Sequence, residues 1–515
     1  MSTQPATLQD ILLRQAAKRP DAPFIVAGES PDALSFSQLL QSTTATAAWL
    51  HEQGCRPGDN IAFLSEGGFH TVRLALSLML AGYVAAPLNL LATDDALARI
   101  IPHSDARIIF TTRQLTPRLQ GILQRLPAQE RPLMITRERW PAAEQPLSRH
   151  SIPLYRPAPA HPALLMYTSG TTGNPKGVLL SHANLFAAAG EISRWHRLGP
   201  QDRLLSTLPV YHINGWVIGV LVPLFSGGSL VAMRRFSVSA WWKTVENHRC
   251  TWLNLVPTMI AFLLNADTGG ARRYPRIRFA RSASAPLPQT HHEQFEQRFG
   301  IPVIEGMGMT ESSSLVFCNP HAQRVFGSVG LPCGVEAAVI NKQGERLADN
   351  RVGEIILHGA GVMNGYYKDA VQTASAIDRD GWLHTGDLGY RNDTGFYFVT
   401  GRLKELIIKG GENIAPREID DALVSYPTIM EAAAFAIADA DYGQDIAAAI
   451  VLKAGCRLDE EALREWCGEK LGKYKTPRYF YLVTSLPRGA SGKIQRLKLG
   501  EQLMVNSANT LNAQT

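Results

Sequence analysis

The densest chemistry in this chain lies in eleven residues. From Tyr167 to Gly177 the sequence reads Tyr-Thr-Ser-Gly-Thr-Thr-Gly-Asn-Pro-Lys-Gly, with four Ser/Thr hydroxyls, three glycines and one lysine. Glycines let backbone N–H groups turn toward an anion, hydroxyls add donors, and Lys176 adds charge. That combination suits a polyphosphate. It is not a Walker loop, because the spacing Gly-x4-Gly-Lys-Ser/Thr is absent. Downstream, carboxylates and cations recur beside small residues: Glu311, Asp387, Arg402, and Lys493 in the loop that reads Ser-Gly-Lys.

The elements that must hold these residues are legible in the pattern around them. Ala163 to Met166 is an apolar strand running into the hydroxyl-rich loop. Thr7 to Ala17 reads as a helix opened by Thr7 and Asp10, and Phe36 to Glu52 as a helix closed by Gly54. Asn60 to Ser65, Arg107 to Thr112, Leu204 to Leu208, Ser229 to Met233 and Trp252 to Val256 read as buried strands. Trp241 to His248 and His291 to Phe299 are helices. Helix and strand taking turns predicts an α/β fold with a largely parallel sheet. Pro153 to Pro162 has the composition of a linker. Between Val352 and Thr400 the pattern turns β-rich, with Gly353 to Gly359 and Gly395 to Gly401 as strands. Beyond Gly401 come a helix (Pro416 to Val424), strands (Glu431 to Ile437, Ile446 to Leu452), a helix (Asp459 to Leu471) and a final loop. That last stretch, about 110 residues, is long enough to fold by itself.

Composition narrows the class. The 515 residues are 45% hydrophobic and 19% charged, enough apolar material for a large core and too much for a disordered chain. The net charge of +6 has no basic block behind it, so nucleic acid is excluded as the main partner in favour of small anions. Six scattered cysteines without Cys-x-x-Cys spacing read as reduced thiols of a cytoplasmic protein. Leu74 to Ala92 is uncharged and as long as a membrane span, but Gly82, Pro87 and Asn89 interrupt it. It reads as a buried helix running into a strand.

With these motifs assembled, the chain resembles the adenylate-forming enzymes, the superfamily of acyl-CoA synthetases, luciferases and peptide-synthetase adenylation domains. The resemblance rests on Thr168 to Gly177, Tyr211 and His212, the Gly-Met-Thr-Glu run from Gly308 to Glu311, the His-Thr-Gly-Asp run from His384 to Asp387, Gly401 with Arg402 and Lys404, and Ser491 to Lys493. It implies a large N-terminal domain over residues 1–402, of largely parallel sheets with helices and a β-rich subdomain. A small mobile α+β C-terminal domain, 403–515, would carry the catalytic lysine.

The resemblance also implies the site. Thr168, Ser169, Gly170, Thr171, Thr172, Gly173 and Lys176 would cradle the phosphates of ATP. Ser284, Ala285, Pro286, Glu305, Gly306, Met307 and Gly308 would surround the nucleotide. Thr310 would donate to the α-phosphate, Glu311 would hold Mg²⁺, and Asp387 with Arg402 would take the ribose hydroxyls. Lys493 would bridge the substrate carboxylate and the α-phosphate. Lys404 would be the hinge of a rotation that replaces Lys493 with the loop Lys409, Gly410, Gly411 and Glu412, past which CoA would enter. The null for Gly410 and Gly411 is a tight hairpin turn. Met307 stands where the family often has Tyr, and Gly489 where it often has a polar residue.

The implied reaction joins a carboxylic acid, ATP and CoA into acyl-CoA, AMP and pyrophosphate through an acyl-adenylate. Loading of a carrier protein's phosphopantetheine is the alternative. His212 stands where amino-acid-activating relatives place Asp, which disfavours a substrate ammonium. His212, Trp216, Val217, Ser282, Ala283, Gly306, Met307 and Met309 would line the acid pocket. With no Arg or Lys among them, dicarboxylates are disfavoured. A monomer or homodimer in the cytoplasm, with no membrane span, completes the expectation.

Overall fold

The computed structural model describes residues 7–141, 153–168, 176–266, 273–488, 494–500 and 503. Among them run four sheets. In the nine-stranded sheet, six neighbouring strands are parallel: Val303–Met309, Phe279–Ser282, Trp252–Leu255, Arg203–Ser206, Ser229–Ala232 and Pro23–Ala27. Antiparallel strands close both edges. The seven-stranded sheet repeats this plan, with parallel strands from Leu133–Thr136 to Pro162–Thr168 followed by antiparallel Lys176–Ser181 and Gly365–Tyr366. Parallel strands buried on both faces explain the unbroken apolar runs that the sequence shows there. The fold is α/β, as the alternation predicts.

Local rules set the element boundaries. The first helix, Leu8–Lys18, starts at Thr7, whose side chain caps Asp10 while Asp10 caps back. Helix Phe36–Glu52 has the predicted bounds, opened by a second capping box from Ser35 to Gln38. The uncharged run resolves into helix Phe69–Leu80 and strand Val84–Pro87. No helix among the described residues is long and apolar enough to cross a membrane.

Two expectations need correction. Pro153 to Pro162 is tied down: the Tyr155 carbonyl accepts a bond from Gln9 Nε2 at 2.7 Å, and its ring lies where a side chain at Gly82 would clash. The expected final loop contains a strand, Tyr479–Leu482, parallel to Gly443–Leu452. Neither periodicity nor turn residues announce it, because it is short and half exposed.

A four-stranded antiparallel sheet (Glu336–Ile340, Gly353–His358, Leu383–Arg391, Tyr397–Arg402) leads into the five-stranded sheet of the C-terminal part. There Ile429–Asp439 and Gly443–Leu452 pair over ten residue pairs. Helices Pro416–Val424 and Glu460–Leu471 pack on one face, over a core of its own built on Ile407, Ile419, Leu423 and Ile446.

Candidate active site

Strand ends do the positioning. The parallel strands Phe279–Ser282 and Val303–Met309 finish side by side and deliver Ser284, Glu305, Met307 and Gly308 to one cleft. This is where ligands gather in open α/β sheets. Asp387 and Arg402 face the same cleft from paired positions on neighbouring antiparallel strands. The far wall comes from the C-terminal part, with Arg417, Glu431, Arg488 and Ile494.

The cation and anion nearest the cleft are already matched. Arg402 Nε lies 2.7 Å from Asp387 Oδ1, and the Asp387 side chain is only 5% exposed. Asp387 raises the guanidinium's pKa, with a smaller push from Glu311. Glu311 therefore stands within electrostatic reach of the same arginine. A second group gathers around it. Tyr366 donates its hydroxyl to Glu311 Oε1 at 3.1 Å, and Lys176 Nζ lies 4.8 Å from the centre of the Tyr366 ring. Lys176 also donates to Gln372 Oε1 at 2.6 Å. Thr168 and Lys176 are register partners, so the strands clamp both ends of the hydroxyl-rich loop. Ser169, Gly170, Thr171, Thr172, Gly173 and Lys493 lie outside the described residues. The residues that flank Lys493, Arg488 and Ile494, line the cleft.

Glu305 is buried, and burial raises its pKa. Its Oε1 accepts the Leu287 N–H at 3.1 Å while Oε2 has no partner. Ser284 takes a left-handed backbone, φ 77°, a strained conformation for a residue with a side chain. Its hydroxyl accepts from Asn214 Nδ2 at 3.0 Å. Ala285 and Pro286 follow it along the cleft. Thr310 opens a short 3-10 turn that carries Glu311, directly after Met309.

The expected acid-pocket residues are less uniform. His212 packs its ring edge-on against Tyr211 at 4.6 Å. Trp216 and Val217 are fully buried in an unusual π-helical stretch, Asn214–Leu221, and the Trp216 indole N–H points at Met79 Sδ, 3.1 Å away. Ser282 is fully buried with an unpartnered hydroxyl. Ala283 is buried beside Leu255, whose carbonyl accepts its N–H. The space expected at Gly306 is taken. A Cβ there would sit 2.7 Å from both Leu315 Cδ1 and the Phe317 carbonyl, so the glycine lets strand Ser314–Cys318 approach.

Far from the cleft strands, Lys409 and Glu412 close a two-residue hairpin through Gly410 and Gly411, at φ 54° and 85°. Both values favour glycine. Lys409 is buried in an ion pair, 2.6 Å from Asp445. Lys404 sits between strand Tyr397–Arg402 and strand Ile407–Lys409.

Sequence reasoning missed Tyr366, Gln372, Asn214 and Arg281. For Arg281 a signal existed, an arginine in the short run Arg278 to Ser282 that the sequence reading did not assign as a strand. Tyr366 and Gln372 gave none, because only the chain's return past Lys176 brings them in. Among the described residues no three His, Cys, Asp or Glu side chains form a metal-holding group. Mg²⁺ needs none, since it is commonly held by one carboxylate with substrate phosphates, and Glu311, beside Tyr366 and Lys176, fits that use by its carboxylate chemistry.

Comparison with known proteins agrees along the whole chain. Residues 12–367 match the family described as AMP-binding enzyme, and residues 418–493 match its C-terminal domain. The sulfoacetate–CoA ligase of Cupriavidus necator is 47% identical over 96% of this chain and 97% of its own. An oxalate–CoA ligase of Arabidopsis thaliana is 32% identical over 95% of this chain and 97% of its own. Among solved structures, ATP-bound MatB from Rhodopseudomonas palustris superimposes with a TM-score of 0.87 at 29% identity, covering 96% of this chain and 99% of that one.

Proposed function

The chain belongs to the AMP-binding enzymes and is an ATP-dependent acid–CoA ligase, and from that premise we propose that its acid is short and doubly anionic, of the sulfoacetate kind. The observation that carries the ligase reading is the pairing of Asp387 with Arg402 on the cleft that Arg488 and Ile494 flank, with Glu311 in electrostatic reach of Arg402 and joined to Lys176 through Tyr366. The relative that activates sulfoacetate supports the acid.

A carboxylate is a poor electrophile, since its oxygens share the charge and neither can leave. In the first half-reaction a carboxylate oxygen attacks the α-phosphorus of ATP, the bond to the bridging oxygen breaks, and pyrophosphate departs. Two anions must meet, so cations and donors aimed at the α-phosphate lower the barrier. In this reading Thr168 and Lys176 hold the outer phosphates, Thr310 donates to the α-phosphate, and Lys493 bridges the two reacting groups. Mg²⁺ at Glu311 supplies further charge neutralisation on the phosphates. Asp387 accepts from the ribose hydroxyls while Arg402, 2.7 Å away, keeps it aimed. In the second half-reaction the CoA sulfur attacks the acyl carbon and AMP leaves. We assign residues 1–402 and 403–515 to two domains turning about Lys404, with the Lys409–Glu412 hairpin replacing Lys493 between steps. A cytoplasmic monomer or homodimer goes with this reading, and the cysteines of the chain are unpaired.

The test is pyrophosphate release from MgATP across short, long-chain, aromatic and sulfonated acids, with and without CoA, beside Lys493→Ala. Turnover that needs one acid class and CoA, and that Lys493→Ala abolishes, is expected. Adenylate formation that CoA does not accelerate would point to a carrier-protein acceptor. Silence across the panel would overturn the ligase reading.

A further inference from the structure

One buried charge stands out by its surroundings. Arg281 is 1% exposed, in the middle of strand Phe279–Ser282. Among the described residues no carboxylate pairs with it. Its Nη1 donates to Asn254 Oδ1 at 2.8 Å and to Asn214 Oδ1 at 3.2 Å, and its Nε has no partner at all. The titratable groups that face it are neutral. His196 is fully buried and pushed well below its ordinary pKa, by burial first and by Arg281 second. The thiols of Cys318 and Cys333 are raised, chiefly by burial. Burial also lowers the guanidinium's own pKa to about 10, which still leaves it charged at neutral pH. A buried charge without a counter-charge is costly, and two amide oxygens offset only part of it.

The molecule's other deeply buried lone arginine shows what a structural role looks like. Arg73 uses two different nitrogens, Nη1 to Ser42 Oγ and Nη2 to the Pro141 carbonyl, and so straps a helix to a distant segment. Arg281 also reaches two other elements, but through the single nitrogen Nη1, aimed by two amides that are themselves linked, while Nε is left unpartnered. Asn254 Nδ2 donates to Asn214 Oδ1, and Asn214 Nδ2 donates onward to Ser284, on the cleft wall. Arg281 lies two residues before the strand's exit at Ala283, and one amide, Asn214, separates its Nη1 from the Ser284 hydroxyl on the cleft wall. The reacting carboxylate belongs at the strand ends, so a group reaching Arg281 must be a short acid's far end.

We propose that Arg281, held by Asn214 and Asn254, is the receptor for a second anionic group of the acid, a sulfonate or a carboxylate, at the inner end of the acid pocket. This rests on the ligase reading and reverses the expectation that dicarboxylates are disfavoured. Planar donors in a fixed fork match both oxyanions. The bound anion supplies the missing counter-charge, and an acid lacking it leaves the guanidinium buried and unpaired, which is the basis for rejecting it.

The experiment measures kcat/KM by pyrophosphate release for sulfoacetate, malonate and propionate, in the wild type, Arg281→Met and Asn254→Asp. The wild type is expected to prefer the dianions over propionate by about a hundredfold or more. Arg281→Met should lose about a hundredfold on the dianions and shift the ratio toward propionate. Asn254→Asp supplies an internal carboxylate 2.8 Å from the guanidinium. It should lose the dianions likewise while melting no lower than the wild type, so misfolding cannot explain the loss. Sulfoacetate against malonate separates the two oxyanions. Wild-type preference for propionate, or equal losses on all three acids in both variants, would overturn the proposal and leave the ligase reading intact. No pyrophosphate from any acid, with MgATP still bound, would sink the ligase reading itself.

Discussion

Two arginines, one lining the cleft and one buried behind Ser284 on its wall, are treated in opposite ways. Arg402, at the nucleotide end, has Asp387 against its Nε before any ligand arrives. Arg281, at the acid end, has amide oxygens and no carboxylate. On the proposed function, Asp387 and Arg402 serve a nucleotide that is identical in every turnover, and their charges are matched in advance. The acid end leaves a charge for its substrate to neutralise. A pre-paired charge gives rigidity, and an unpaired one gives selectivity, because binding and charge compensation become the same event.

The contrast can be broken at Asp387 first. Asp387→Ala should cut kcat/KM for ATP by about a thousandfold, since it removes the ribose acceptor and strands Arg402. Urea unfolding should show a loss of about 1–3 kcal/mol, discounted because the Arg402 side chain is 35% exposed. Arg281→Met should behave differently, losing the dianionic acids while unfolding within about 1 kcal/mol of the wild type, because relief of an unpaired charge offsets two amides left idle. Equal destabilisation by both variants would erase the distinction.

The acid end should also respond to pH. The unfolded His196 takes a proton below its ordinary pKa of about 6.5, whereas the folded one stays neutral far below that. The unfolded state then binds more protons, so stability falls as pH drops, by about 2 kcal/mol at pH 5 from this group alone. Urea unfolding at pH 7.5 and pH 5 measures it. Arg281→Met should flatten the slope, since the guanidinium is the second cause of the depression.

Smaller effects lie farther out. Gly410→Ala puts a side chain at φ 54°, with its Cβ 2.9 Å from the Tyr474 hydroxyl, in the hairpin assigned to CoA entry. It should slow CoA-dependent turnover several-fold and leave pyrophosphate exchange without CoA near the wild-type rate. Met307→Tyr should lower KM for ATP about threefold by adding an aromatic face beside the nucleotide. An unchanged KM would mean that the Met307 thioether already covers the purine.

The sequence was informative wherever a residue's role depends on its chain neighbours. The capping pair at Thr7 fixed a helix start, the alternation of elements fixed the α/β class, and the hydroxyl-rich loop with the later motifs marked the AMP-binding family, all through interactions spanning a few residues. Asp387 and Arg402 lay within reach for the same reason, each inside a run whose neighbours mark it. What the sequence hid was made by strands brought together from afar. Tyr366 meets Lys176 because a short antiparallel strand returns to the sheet edge. Gly306, small in the sequence, is filled in space by Leu315 and Phe317. Whether the charge of Arg281 is balanced depends on what three other elements place around it. A counterion is a matter of a few ångströms, and separations along the chain do not encode them.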